Sequence, residues 1–200
     1  YVDVDLRNVI DAGGVPGPRL LVAGNYVSST GGAGDARQFS IYVDVPIVRN
    51  LADGPEEVTK AVRTNLKNGA DFIKILATGA VLSKGIPPGV QQYSDEEIQA
   101  AVTEARRWGR PVAAHAHGAE GIKAAIRAGV RCIEHGQLVS EETVAIMAER
   151  GTWWSLQPFL VSDKVLATLN PVQRAKFMQV VEGTDRAYAL ARKHGVKVAW

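Results

Sequence analysis

Residues 110–118 read RPVAAHAHG, a short apolar segment that ends in two histidines and then runs into a helical pattern. A helical pattern ends at Gly109 just before it, so the segment predicts a buried β-strand between two helices. Side chains alternate along a strand, and His115 and His117 therefore point the same way. The function of the chain depends on what these two imidazoles do.

The pattern of strand followed by helix repeats along the whole chain. Strands separated by helices in strict alternation imply parallel pairing through right-handed crossovers. Helices are expected over residues 3–12, 55–68, 94–108, 119–128, 140–150 and 171–194. Strands are expected over residues 19–23, 70–77, 110–115, 130–136, 152–158 and 196–200.

Two α/β architectures suit this alternation, an open doubly wound sheet and a (β/α)8 TIM barrel. The open sheet would need a glycine-rich phosphate turn after its first strand, but the sequence after residues 19–23 does not match GxGxxG. A barrel takes about 250 residues for its eight units, and this chain of 200 residues contains about six. We therefore predict a single, partial barrel domain over residues 1–200.

Composition and charge exclude several classes of protein. The formal net charge is +2, from 23 basic and 21 acidic residues without a basic stripe, so we expect neither nucleic acid nor an anionic membrane as a partner. No apolar run is long enough to span a bilayer. A cytoplasmic location is favoured, with an upstream secretion signal left open because the chain begins at Tyr1 without a methionine.

Three polar residues lie in or at the end of consecutive apolar strands: Lys74, His115 and His135. The carboxyl ends of barrel strands form the active face, and adjacent strands lie roughly 4.8 Å apart. These side chains can therefore converge on one or two metal ions, for which neutral imidazole is an ordinary ligand. His117, one pleat beyond His115, faces either the substrate or a structural hydrogen bond at the start of the next helix.

A lysine is an unexpected companion for two metal-binding imidazoles, because an ammonium repels a divalent cation. If Lys74 is buried among apolar neighbours without a carboxylate, it loses its proton unusually easily. The neutral amine can add carbon dioxide and become a carbamate, which can bridge two metals as a carboxylate would. This hypothesis explains a lysine among imidazoles.

The segments DFIKILATGA, PVAAHAHGAEGI and CIEHG, in this order, resemble metal-ligand strands four, five and six of the amidohydrolase superfamily. The resemblance is strongest to its imidazolonepropionase-like and Xaa-Pro dipeptidase branch, and it covers nearly the whole chain. It implies that Lys74 is carbamylated and bridges two divalent metals, usually zinc. It also implies that His115 and His135 bind one of these metals.

Two parts of the family pattern are not in this sequence. The HxH pair of strand one would precede Tyr1, and the aspartate of strand eight would follow Trp200. Asp185, in a Gly-Thr-Asp triplet, has a helical pattern around it and is expected to be a solvated helix position. The sequence is therefore expected to be part of a longer enzyme.

The resemblance implies hydrolysis of an amide or peptide bond by a hydroxide that bridges the two metals, with His117 polarising the carbonyl or contacting the substrate. The first expected substrate is a dipeptide, Xaa-Pro or Xaa-hydrophobic. Hydrolysis of a cyclic amide, carbamate, urea or phosphoester by the same metals remains open. So does a non-catalytic barrel with a structural or binding role, and a homo-oligomer is compatible with either.

Overall fold

The computed structural model describes residues 1–35, 42–43, 51–83 and 86–199, which form one parallel sheet with helices between its strands. The strands are β1 (Ile73–Leu76), β2 (Val112–Gly118), β3 (Cys132–Leu138), β4 (Trp153–Ser155) and β5 (Val198–Ala199). The helices are α1 (Val2–Asp11), α2 (Gly54–Lys67), α3 (Asp95–Arg107), α4 (Ala119–Ala128), α5 (Glu141–Arg150), α6 (Asp163–Thr168) and α7 (Pro171–His194).

The strands lie side by side in the order in which they occur in the chain, β1-β2-β3-β4-β5, and every neighbouring pair is parallel. Each connection therefore carries the chain back across the sheet through a helix. A doubly wound sheet would reverse its strand order at a switch point, whereas this sheet does not. The sequential order is that of a barrel wall.

The pairing register separates the two faces of the sheet. Ile75, Ala114, Ile133 and Trp154 are all within 1% of complete burial and belong to one core with the helices. Lys74, His115 and Glu134 point to the opposite face, because side chains alternate along each strand. The apolar face holds the sheet against its helices, and the other face carries the polar groups.

The helix boundaries follow local signals that the sequence displays. Ser94 and Glu97 form the expected capping box: the Ser94 hydroxyl accepts from the Glu97 amide, and the Glu97 carboxylate accepts from the Ser94 amide. Ser140 accepts a hydrogen bond from the Thr143 amide at the start of α5. Gly129 ends α4 with a φ of 97°, a conformation that favours glycine.

The strand expected over residues 19–23 is absent, and that prediction is wrong. Val22 exchanges hydrogen bonds with Asp71 below β1, and Val27 pairs with β1 further up in an isolated parallel bridge to Ile75. Between these contacts the chain turns at Gly24, which has a φ of 67°. The left-handed glycine interrupts the extended chain, so the sheet formed by the described residues has five strands instead of six.

Further differences from the sequence prediction concern the extents of elements, and β1 and β5 are both shorter than the strands expected over residues 70–77 and 196–200. The expected strand over residues 152–158 contracts to Trp153–Ser155, and the short helix α6 follows where no element was expected. Strand β2 is longer than expected and includes His117.

Within the described residues, no helix combines the length and hydropathy that crossing a membrane requires.

Candidate metal centre

Three histidine rings meet at the carboxyl ends of β2 and β3. The ring centroids of His115 and His117 are 4.9 Å apart, those of His115 and His135 are 4.6 Å apart, and those of His117 and His135 are 4.9 Å apart. Each ring offers one nitrogen such that the three nitrogens lie within 4.8 Å of one another. This spacing suits imidazole ligands converging on a common divalent ion.

His135 reaches this cluster only because the backbone of β3 departs from regular geometry. Glu134 pairs with His115 and faces the polar side of the sheet, so simple alternation would turn His135 toward the helices. Instead, His135 has a φ of 75°, the one positive φ at a non-glycine residue in the described part of the chain. The register with β2 shifts at this point, as a β-bulge requires. The bulge brings two successive side chains, Glu134 and His135, to the site.

Packing from two other elements supports the bulge. The indole N–H of Trp154 on β4 donates to the His135 carbonyl at 2.8 Å. Gly136 also has a left-handed φ, 74°, and a Cβ there would lie 2.5 Å from Trp154 Nε1. From the outside, α7 approaches so closely at Gly183 that a Cβ would lie 2.1 Å from the Gln137 carbonyl oxygen. A strained histidine held from both sides indicates a functional position.

Hydrogen bonds determine which ring nitrogens of His115 and His135 are available to bind a metal. His115 Nε2 lies 2.9 Å from the Gly79 carbonyl, which can only accept, so Nε2 carries the proton and Nδ1 holds the lone pair. His135 Nδ1 is buried and has no hydrogen-bond partner among the described residues. A buried polar atom without a partner is costly, and a metal ion would satisfy it. The donor set therefore fits a divalent metal.

Burial also keeps the rings in the form that binds metal. Burial is the main cause that lowers the pKa of His115 to about 4 and that of His135 to about 3, and the charge of nearby Lys74 contributes to both shifts. Burial likewise holds the pKa of His117 well below its usual value. The imidazoles are therefore neutral at pH 7, as a metal ligand must be.

Lys74 lies on the same face of the sheet, but a carboxylate accompanies it. Its ammonium forms an ion pair with Glu134 from β3, and both side chains are largely buried. Burial lowers the pKa of Lys74 to about 8, toward the neutral amine that adds carbon dioxide, whereas Glu134 favours the ammonium. The sequence argument assumed that no carboxylate lies beside Lys74, whereas the structure places Glu134 there.

A cavity of about 310 Å³ opens beside the histidine cluster, and its walls are largely apolar. The segment between β1 and α3 and the aromatic ring of Phe159 form these walls. The lining residues are Ala33, Ala80, Val81, Leu82, Ser83, His115, His117, His135 and Phe159. The cavity can accommodate an apolar group next to the three imidazoles.

Helix α7 holds the wall segment of this cavity in place. The Lys176 ammonium donates to the Ser83 and Ile86 carbonyls at 2.9 and 3.0 Å, and the Gln173 amide donates to the Leu82 carbonyl. Phe177 packs edge-to-face against Phe159. The sequence offered no signal for these contacts, and the hydrogen bonds among them join residues about ninety positions apart.

Asp185 lies on α7 and is exposed, as expected of a solvated helix position. The sequence reasoning missed Glu134, Gln137 and Phe159. Glu134 lies directly before His135 in the sequence, which was a visible signal. Alternation of side chains along a strand, however, places only one of these two successive residues on the face of the site. Nothing local in the sequence pointed to the other two.

Comparisons with known proteins agree with this geometry. The profile of the amidohydrolase family matches residues 2–199. The chain belongs to the amidohydrolase family. The ochratoxinase of Aspergillus niger is 33% identical over 216 residues, which cover 98% of this chain and 44% of that protein.

Solved structures of other amidohydrolases share the fold. A Xaa-Pro dipeptidase with methionine in its active site superposes with a TM-score of 0.88 at 36% identity, over 99% of this chain and 51% of that one. Another amidohydrolase gives a TM-score of 0.87 at 39% identity, over 98% and 51%. The sheet is thus part of the barrel of metallo-dependent hydrolases, and the chain spans about half the length of these relatives.

Proposed function

We propose that β1, β2 and β3 of this amidohydrolase chain are the metal-binding strands of a hydrolase that cleaves amide or peptide bonds. The observation that carries the proposal is the convergence of His115, His117 and His135 at strand ends, with a buried His135 Nδ1 that lacks a hydrogen-bond partner among the described residues. Family membership and the likeness to a Xaa-Pro dipeptidase and to ochratoxinase support it. The proposed domain is a single barrel.

His115 and His135 are the proposed imidazole ligands. The Gly79 carbonyl fixes the tautomer of His115, and the bulge of β3 presents His135, so both rings are oriented before a metal arrives. His117 is the proposed substrate contact, since it lines the cavity beside them. When bound, two divalent ions, with zinc as the first choice, would supply Lewis acidity and activate water at neutral pH.

Lys74 is the proposed bridging ligand, as a carbamate. Its amine nitrogen would bond to the carbon of carbon dioxide and release a proton, and the side chain would have to leave Glu134. The pKa of about 8 that burial imposes on Lys74 supports this step, because a useful fraction of the amine is then neutral near pH 7.

The proposed substrate is a small amide or dipeptide with an apolar group beside the scissile bond. The apolar walls formed by Val81, Leu82 and Phe159 support a hydrophobic residue there. No charged side chain lines this cavity among the described residues. A strongly charged substituent would therefore lose its hydration without gaining a partner.

Metal analysis and a substrate panel test the proposal. We expect the purified protein to contain zinc by mass spectrometry and to hydrolyse members of a panel of Xaa-hydrophobic dipeptides, Xaa-Pro dipeptides and N-acyl amino acids. Lactams and phosphotriesters in the same panel test other bond types. Protein without bound metal and without turnover of any amide would overturn the proposal.

Substitutions of histidine provide a matched control. His115→Asn and His135→Asn should each lower the zinc content, because each removes an imidazole from the cluster. His194→Asn should not, because His194 is a partly buried residue that pairs with Glu141 and does not belong to the cluster. Equal zinc loss in all three variants would show that the effect is not specific to the site.

A further inference from the structure

The side chain of Gln137, which follows the bulge in β3, is held by two contacts. Its amide nitrogen donates to the main-chain carbonyl of Gln157 at 2.8 Å. Its amide oxygen lies 3.1 Å from His117 Nδ1. Gln137 is 2% exposed and His117 is 1% exposed, so water does not compete for the contact between these two side chains.

These contacts determine the position of a proton on His117. A main-chain carbonyl can only accept, so the NH2 group of Gln137 must face Gln157 and its oxygen must face His117. An amide oxygen also only accepts, so His117 Nδ1 must carry the proton that it donates. In a neutral imidazole the other nitrogen, Nε2, then holds the lone pair.

The Nε2 atom is the ring nitrogen left for the cavity. His117 lines the cavity, and the described residues provide no hydrogen-bond partner for Nε2. A nitrogen with a lone pair accepts hydrogen bonds and cannot donate one to a substrate carbonyl. With its proton on Nδ1, neutral His117 would accept a hydrogen bond in the cavity and would not polarise a scissile carbonyl.

We propose that Gln137 is a positioning residue that holds neutral His117 with its proton on Nδ1, so that Nε2 accepts a hydrogen bond from an N–H group of the substrate. The substrate part of this inference rests on the proposed amide hydrolysis. It narrows the substrate to secondary amides, whose nitrogen carries a hydrogen. N-methyl amides and Xaa-Pro peptides have no such hydrogen at the scissile bond, and they leave Nε2 without a partner.

Nitrogen NMR of histidine tests the tautomer without any assay of activity. The chain has four histidines, so labelling them with ¹⁵N gives few signals, and long-range proton–nitrogen spectra distinguish Nδ1–H from Nε2–H. We expect Nδ1–H at His117 in the zinc-containing wild type. Gln137→Met keeps the length of the side chain but offers only a weakly accepting sulfur, so it should convert His117 to a mixture of tautomers.

Gln157→Met is the matched control for the tautomer. Only the main-chain carbonyl of Gln157 contacts Gln137, so this variant should keep Nδ1–H at His117. An Nε2–H signal in the wild type, or an unchanged His117 signal in Gln137→Met, would overturn the positioning role. A shift of Nε2 that depends on zinc would make His117 a metal ligand and overturn its substrate contact.

Matched substrates test the acceptor role. An N-acyl-phenylalanine should be hydrolysed with a kcat/KM about fivefold to tenfold above that of its N-methyl analogue, the effect of one hydrogen bond. The ratio should fall toward one in Gln137→Met. An equal rate for both substrates in the wild type would overturn the acceptor role. If neither is hydrolysed, the proposed function fails, and the NMR result alone decides the positioning role.

Discussion

Replacement of Gly136 by alanine tests whether the bulge in β3 requires a glycine at this position. A residue with a Cβ costs roughly 1–2 kcal/mol in the left-handed region that Gly136 occupies at a φ of 74°. The new methyl would also lie 2.5 Å from Trp154 Nε1 and 2.8 Å from Cε2. Overpacking of this kind costs about 1–3 kcal/mol, and loss of the hydrogen bond from Trp154 to His135 costs about 1 kcal/mol more.

Gly151→Ala is the matched control for Gly136→Ala. Gly151 has a similar φ of 64°, but a Cβ there meets no atom of the described residues within 4 Å. Both variants therefore share the backbone cost, and only Gly136→Ala has the collision. We expect Gly136→Ala to be less stable than Gly151→Ala by about 2–4 kcal/mol, from the overpacking and hydrogen-bond costs.

Urea unfolding of the two variants measures this difference, and zinc analysis shows whether His135 has moved with its backbone. Gly136→Ala should lose metal, whereas Gly151→Ala should keep it. Free energies of unfolding that agree within about 0.5 kcal/mol, the usual range for innocuous substitutions, would refute the packing argument. A destabilised Gly136→Ala variant that keeps its full zinc content would show that the substitution lowers stability without moving His135 out of the site.

Three further predictions concern the proposed metal ligand Lys74, the cavity wall at Phe159 and the ion pair between Arg63 and Glu104. Lys74→Ala should lose a large part of the bound metal in mass spectrometry, and unchanged metal would contradict the bridging role. Phe159→Ala, which removes an apolar wall of the cavity, should raise KM for hydrophobic substrates about tenfold with little change in kcat, and an unchanged KM would argue against the apolar subsite. Glu104 has its pKa lowered from 4.5 to about 2, chiefly by the Arg63 hydrogen bond. Its stabilisation should be present above pH 4.5 and disappear as the pH falls toward 2. Because the Arg63 side chain is 56% exposed, solvent screening limits the effect to about 1–2 kcal/mol. Urea midpoints of wild type and Glu104→Gln should thus converge at low pH, and a constant gap would contradict the assignment.

Local signals in the sequence predicted most of the fold. The capping box at Ser94 and the left-handed glycines that end α4 and α5 act within one helical turn, so they can be read without knowledge of the tertiary structure. The prediction of a strand over residues 19–23 was wrong because strand formation there depends on residues outside the run itself. The run RLLVA is apolar, but whether it joins the sheet depends on Asp71 and on the turn at Gly24.

The sequence alone determined that His115 and His117 share a face, because alternation along a strand is a property of the local backbone. It also determined that Lys74, His115 and His135 come from three consecutive strands. Only the tertiary structure decided that His135 turns back to the site, that Glu134 accompanies Lys74, and that Gln137 sets the proton on His117. Each of these depends on groups from other strands and from α7, and contacts between distant parts of the chain leave no periodic pattern in the sequence.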